Sequence, residues 1–233
     1  MDEKIANTII DKIFKNTLGF NPAPDYATAK ERYSGTIDTL PFPVTDLATQ
    51  KQTWTVVKQA SSYIAQTNMQ EIDTANGWTP KQPPSTDITQ LLSTWQALNS
   101  ITAERTQDSI NVAESDLIYG CENVYQCTNC NGSKNIVLCN DCGNSEYLFA
   151  SQHSGSCNFC IRADDSVNCS NSYELKYCNK VVDSLFIQDC FDLYECIFCA
   201  HLSSKKFCIT NVQLDQSTYY DIKNHILKWL GNN

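Results

Sequence analysis

Residues 121–142 read CENVYQCTNCNGSKNIVLCNDC, and the spacing of their cysteines decides the fold. Cys121, Cys127, Cys130, Cys139 and Cys142 are separated only by multiples of three. All 13 cysteines obey the rule, since Cys157, Cys160, Cys169, Cys178, Cys190, Cys196, Cys199 and Cys208 share the phase. Chance would produce this about once in half a million, so the pattern is a repeat. Between the cysteines the phase holds Ser109, Val112, Ser115, Ile118, Val124, Ser133, Ile136 and their successors as far as Leu202. No charged, aromatic, amide or glycine residue enters it there. A narrow, close-packed interior demands such small or aliphatic side chains, and free Cys behaves as a small buried hydrophobe.

A helix repeats every 3.6 residues and a flat strand every 2. Strict threes fit neither. They fit a tight β-solenoid in which each short side contributes one inward residue before the chain bends. The Asn, Asp, Ser and Gly of the other two phases suit those bends. In a frame of about 18 residues, Val124, Cys142, Cys160, Cys178 and Cys196 stack evenly; about 12 residues also aligns several cysteines, less evenly. The longer frame is preferred, giving roughly five to six coils about 4.8 Å apart.

In that frame Tyr119, Val137, Tyr173 and Phe191 form one outer line, and Phe149, Val167 and Leu185 another. An apolar stripe on a solenoid's outside has to be covered. Either the N-terminal helices cover it, or it is a subunit or capsid contact with Tyr and Phe as anchors. These seven are the candidate partner-binding residues.

The cysteines begin only at Cys121, which marks a composition shift along the 233 residues. The expected fold is α+β. Residues 1–107 form a helical and extended docking region, 108–210 the solenoid with its inward ladder, and 211–233 a C-terminal capping helix. Ile5, Ile9, Ile13 and Phe14 predict an opening helix that Gly19 ends. Residues 20–44, with Pro22, Pro24, Pro41 and Pro43, read as an extended arm. It packs on its own solenoid or clasps a neighbouring subunit. Thr45 or Asp46 is expected to cap a second helix running to about Met69. Pro80 to Pro84 reads as a linker, and Ser85 as the cap of a third helix through Leu91, Leu92, Trp95, Leu98 and Ile101. Ser217 starts the last helix, which shields the open final coil.

Near that end, Leu193-Tyr194-Glu195-Cys196, then Ser204-Lys205-Lys206-Phe207-Cys208-Ile209-Thr210-Asn211, with Ser217 and Tyr220 beyond, resembles a cysteine-ladder triplet-repeat family. Those β-solenoid proteins occur in tailed phages and candidate-phyla bacteria and are mostly uncharacterised. The resemblance covers the C-terminal half, carries no catalytic residues, and implies a viral or cell-surface structural context by association.

Net charge is −9, without a basic run interleaved with aromatics, which speaks against nucleic-acid binding. No stretch approaches the ~20 apolar residues of a membrane span. Met1-Asp2-Glu3-Lys4 lacks a signal peptide's apolar core, so synthesis in a reducing host cytoplasm is expected, where thiols stay reduced. Cys127, Cys130, Cys139 and Cys142 could build a tetrahedral thiolate zinc site. Their pairs are closer in sequence than the usual zinc spacing, however, and zinc gives no reason for the other cysteines to share the phase. A redox dithiol would need a helix N-terminus or cation to lower its pKa. The histidines are His153, His201 and His225, and no His-Glu-x-x-His or nucleotide-binding motif occurs. Asp164-Asp165 and Asp189/Asp192 are the carboxylates a solenoid glycosidase would need, although acidic turns explain them as well.

The expectation is therefore a non-enzymatic structural or interaction protein without cofactor or catalytic residues. Its working place is the virion, as a capsid decoration or tail-associated spacer. Its partners would be other virion or assembly proteins or further copies of itself. The competing expectation is a zinc-binding Cys-x-x-Cys module that mediates protein interaction.

Overall fold

The structure is a computed structural model that describes residues 1–74, 78–79 and 85–232. The chain is mixed α+β: a β-solenoid of about nine turns, with helices before it and one after. Parallel partners lie 12 residues apart, as in Lys134↔Glu146, Ile136↔Leu148 and Leu148↔Cys160. Each coil is thus four triplets, a square section, and the coil of about 18 expected from the cysteine columns is corrected to 12. The reason is that the inward phase is common to all four sides. Cysteines on neighbouring sides mimic a longer column.

The bend is left-handed backbone at every third residue. From Asp108 to Thr210 each third position has φ between 45° and 63°. For an L-residue this conformation costs roughly 1–2 kcal/mol, with Asn and Asp tolerating it best. Hence Asn111, Asn123, Asn129, Asn135, Asp141, Asn144 and Asp165 stand there, and Gly120 and Gly132. Leu117, Phe159 and Phe198 adopt it too, held by the hydrogen bonds on either side.

Those bonds also explain the ladder's chemistry. In each triplet the outward residue donates to the carbonyl of an inward residue one coil on (Glu122 N to Ser133 O, 3.0 Å). The left-handed residue donates back one coil (Leu138 N to Tyr125 O, 3.1 Å). The inward residue's own N–H faces the lumen, where the side chain one coil back accepts it at many positions that hold Ser or Cys. Cys127 N bonds Ser115 Oγ (3.0 Å), Cys139 N bonds Cys127 Sγ (3.3 Å), and Cys157 N bonds Ser145 Oγ (3.1 Å). The same side chains donate to the carbonyl two residues earlier, as Cys127 Sγ does to Tyr125 O (3.3 Å). Ser and Cys fill the interior because they are small and can both accept and donate.

One outward face is apolar in almost every coil: Ala113, Tyr125, Val137, Phe149, Ile161, Tyr173, Leu185, Ile197 and Ile209. Helix α1 (Glu3–Leu18) lies over its middle and α2 (Tyr26–Tyr33) beside it. Asp2 caps α1 and Gly19 ends it with φ 73°. Phe14 packs on Phe149 (5.7 Å between rings) and Tyr26 on Tyr125 (5.1 Å). Burying each such side chain contributes about 1.5–3 kcal/mol. The arm is thus not simply extended; α2 interrupts it. It docks on its own solenoid, with Asp38 N held by Gln152 Oε1 at 2.8 Å.

The helix expected over 45–69 is also corrected. Strand β1 (Phe42–Thr45) pairs antiparallel with β2 (Gln52–Thr55), and β3 (Ser62–Ala65) follows. Only then does helix α3 (Gln66–Thr74) begin, and β3 pairs in parallel with β4 (Ser100–Ala103). Buried Asp46 decides this. It accepts from Thr49 N, Thr49 Oγ1, Ala65 N and Asn68 Nδ2, tying a turn that a helix would break. Helix α4 (Ile88–Leu98) is capped by Asp87 rather than Ser85, and Ile101 lies beyond it in β4. The linker expected at Pro80 to Pro84 lies outside the described residues.

The C-terminal edge is closed by three devices. Val212–Gln213 turns back on Cys208 and Ile209 as an antiparallel hairpin. Lys205, the register partner of inward Leu193, puts a charge where another coil would need an apolar residue. Helix α5 (Gln216–Asn232) buries Tyr219 against Phe207 (5.5 Å). Charge and reversal at an edge block pairing with another chain.

Candidate functional site

The cysteine quartet lies wholly inside. Cys127 and Cys139 stack on one side of the square, Cys130 and Cys142 on the next, and all are buried. Each sulfur bonds a carbonyl of its own chain, at 3.2 Å for Cys130 and 3.4 Å for Cys139 and Cys142. A tetrahedral zinc–thiolate site would bring the sulfurs to about 3.8 Å from one another. Among the described residues no three of them lie mutually within 4.8 Å. Burial pushes the Cys127 and Cys139 thiols up, and takes Cys178 to about 11. Cys130 goes the other way: burial raises its pKa, but hydrogen bonds from Cys127 and Cys142 outweigh that and hold it well below its ordinary value.

The seven outward candidates divide differently from the two lines drawn in sequence. Val137, Phe149, Tyr173 and Leu185 belong to the helix-covered face and are buried there. Tyr119, Val167 and Phe191 stack at multiples of the 12-residue coil on the opposite face, where they are 37%, 40% and 53% exposed. Between them that face carries Asn131, Gly143, Gly155 and Asn179, paired coil to coil. The column itself carries no charge, and charged residues such as Asp141, Lys180 and Asp192 stand only at its bordering corners. The first-coil end adds a second apolar surface, since Ile88, Leu92 and Trp95 on one side of α4 are 67%, 56% and 59% exposed.

Two polar features were not legible in sequence. Asp116 is fully buried and receives Arg105 through Nε (2.9 Å) and Nη2 (2.7 Å), together with Arg105 N and Val56 N. Burial raises its pKa, but those bonds outweigh it and hold the carboxyl below its ordinary value. Through Thr55 and Val56 the same carboxylate ties the end of β2 to the first coils. Further along, a cleft of about 360 Å³ lies between the loop at Thr36 and Ile37 and the coil surface. Gln152, Arg162, Asp164, Glu174 and Lys176 line it, with Arg162 paired to Glu174. The 12-residue period is the signal that would have placed these groups together.

Comparison of the chain with family models, with curated proteins and with solved structures finds no match. The functional reading therefore rests on the geometry itself.

Proposed function

We propose that the protein is a non-enzymatic structural and interaction element, a rigid spacer in a virion, as a capsid decoration or tail-associated component. The observation that carries this reading is how completely the solenoid uses its own groups. Inward Ser and Cys are committed to ladder hydrogen bonds, and one outer face is sheathed by the chain's own helices. The last edge is closed. A rod of about nine turns spans roughly 40 Å at a strand spacing of about 4.8 Å. What it leaves for other assembly proteins is the Tyr119/Val167/Phe191 face and the α4 stripe.

The test is mass spectrometry and gold-labelled electron microscopy of gradient-purified particles from the source. A fixed copy number per particle, with label at one structural position, is the expected result. Absence of the protein from purified particles that contain their other structural components would remove the virion role and leave only the spacer architecture.

A further inference from the structure

One corner of the square runs Asn129, Asp141, His153, Asp165, Tyr177, Asp189, His201, one residue per coil. The 12-residue stacking sets His153 directly beside Asp165 of the next coil and beside its neighbour Asp164. His153 Nδ1 lies 3.7 Å from Asp164 Oδ1 and 3.9 Å from Asp165 Oδ1, and the three atoms are all within 4.8 Å of one another. We propose that His153, Asp164 and Asp165 form a site for a divalent transition-metal ion, with Zn²⁺ as the working choice.

Three observations support this. The nitrogen faces both carboxylates at separations too long for a hydrogen bond, so the three atoms converge on a shared space. Bonds of 2.0–2.2 Å to one ion would set them about 3–3.6 Å apart, so the side chains would close by up to about 1 Å or somewhat more, within reach of small rotations of exposed side chains. The other histidine of the same corner behaves differently, because His201 Nδ1 meets Asp189 Oδ2 at 2.8 Å and leaves no room between them.

Second, the two carboxylates lack a fixed cation. Among the described residues no lysine or arginine nitrogen lies within 4.0 Å of Asp164 or Asp165. Lys176 is the register partner of Asp164, yet its ammonium sits over the Tyr177 ring, 5.4 Å from the centroid. Third, Asp164 is held in place through Oδ1, the oxygen that faces His153. Buried Gln152 donates from Nε2 to Asp164 Oδ1 at 3.0 Å, the kind of outer contact that fixes a metal-binding carboxylate.

One imidazole and two carboxylates suit zinc and its first-row neighbours better than Ca²⁺ or Mg²⁺, which take all-oxygen sets. The side chains are 34%, 28% and 45% exposed, so water completes the coordination. The ion would bridge one coil to the next and stiffen the rod at its midpoint, which goes beyond the spacer role and does not depend on it.

The test is calorimetric titration of Zn²⁺ into the full-length reduced protein, with Co²⁺ absorption as a second readout. One Zn²⁺ per chain is expected, weakened at least about tenfold by His153→Asn and by Asp165→Asn and unchanged by His201→Asn. Asn suits this corner, because Asn129 already occupies it with φ 50°. The Co²⁺ spectrum is expected to lack thiolate charge-transfer absorption. Binding that survives both variants, a thiolate band with Co²⁺, or no binding by about 1 mM free Zn²⁺ would each overturn the site.

Discussion

At the residue scale, the ladder rests on side chains that carry two hydrogen bonds in very little volume. Cys127 accepts from Cys139 N and donates to Tyr125 O. Replacing it with Ser keeps both bonds, and Ser115 shows that the column accommodates a hydroxyl. Cys127→Ala leaves the Cys139 N–H buried and unpaired, at a cost of about 1–3 kcal/mol, and opens a small void. Chemical denaturation is expected to rank wild type and Cys127→Ser close together and Cys127→Ala well below. Equal midpoints for Ser and Ala would mean that the lumen N–H groups need no acceptor.

Asp116 makes a second residue-scale prediction. Removing it strands Arg105, which is partly buried, and releases Val56 from the first coils. Breaking such a pair costs about 3–5 kcal/mol where it is fully buried. With Arg105 29% exposed, Asp116→Ala is expected nearer ~2–3 kcal/mol. Because its folded pKa is depressed, its stabilisation is fully present above the unfolded carboxylate value. It is lost as pH falls through the folded one. Wild type is therefore expected to lose stability on acidification below about pH 4, and Asp116→Asn to show a flatter profile there. Parallel profiles for the two would disprove the assignment.

At the element scale, helix and solenoid need one another. The opening helix is readable because Ile5, Ile9, Ile13 and Phe14 recur at helical spacing before the Gly19 stop; the Asp2 cap is what the structure adds. The segment over 45–69 was misread because its strands are short and paired with β4, far along the chain, and with one another. Asp46 takes partners from the adjacent turn at Thr49 and, 19 and 22 residues on, from Ala65 and Asn68, a separation at which helical periodicity carries no signal. Phe14 sits between Tyr33 and Phe149 with no exposure. Phe14→Ala is expected to cost about 3–5 kcal/mol, read as a shift in the urea midpoint of the whole chain. A change confined to helical signal, with the β-transition unmoved, would show the helices and solenoid unfolding independently.

At the scale of the whole molecule, the solenoid closes its lumen along its length and its pairing edge at the C-terminal end. All 13 cysteines are buried, so a water-soluble aromatic disulfide reagent is expected to find no thiol in the native protein. After unfolding it should find all 13. Rapid reaction of several native thiols would mean that the coils open on the timescale of the assay, and the close-packed lumen would have to be abandoned. The metal bridge between coils and the place in a particle belong to this scale as well.

The phase of three is written in the chain itself. Each inward residue meets the same narrow interior, so Cys121 through Cys208 reveal a solenoid without any contact being known. Coil length was the weaker inference, because one interior serves four sides and the inward phase does not number them. The outward apolar series from Ala113 to Ile209 does carry the 12-residue period, since a single face is covered by helices. Only the tertiary structure decided which apolar residues are sheathed and which are open. It parted Phe149 from Val167, and Val137 from Tyr119, according to where the N-terminal helices lie. It alone set His153 beside Asp164 and Asp165, since stacking coils joins residues that local sequence leaves a full turn apart.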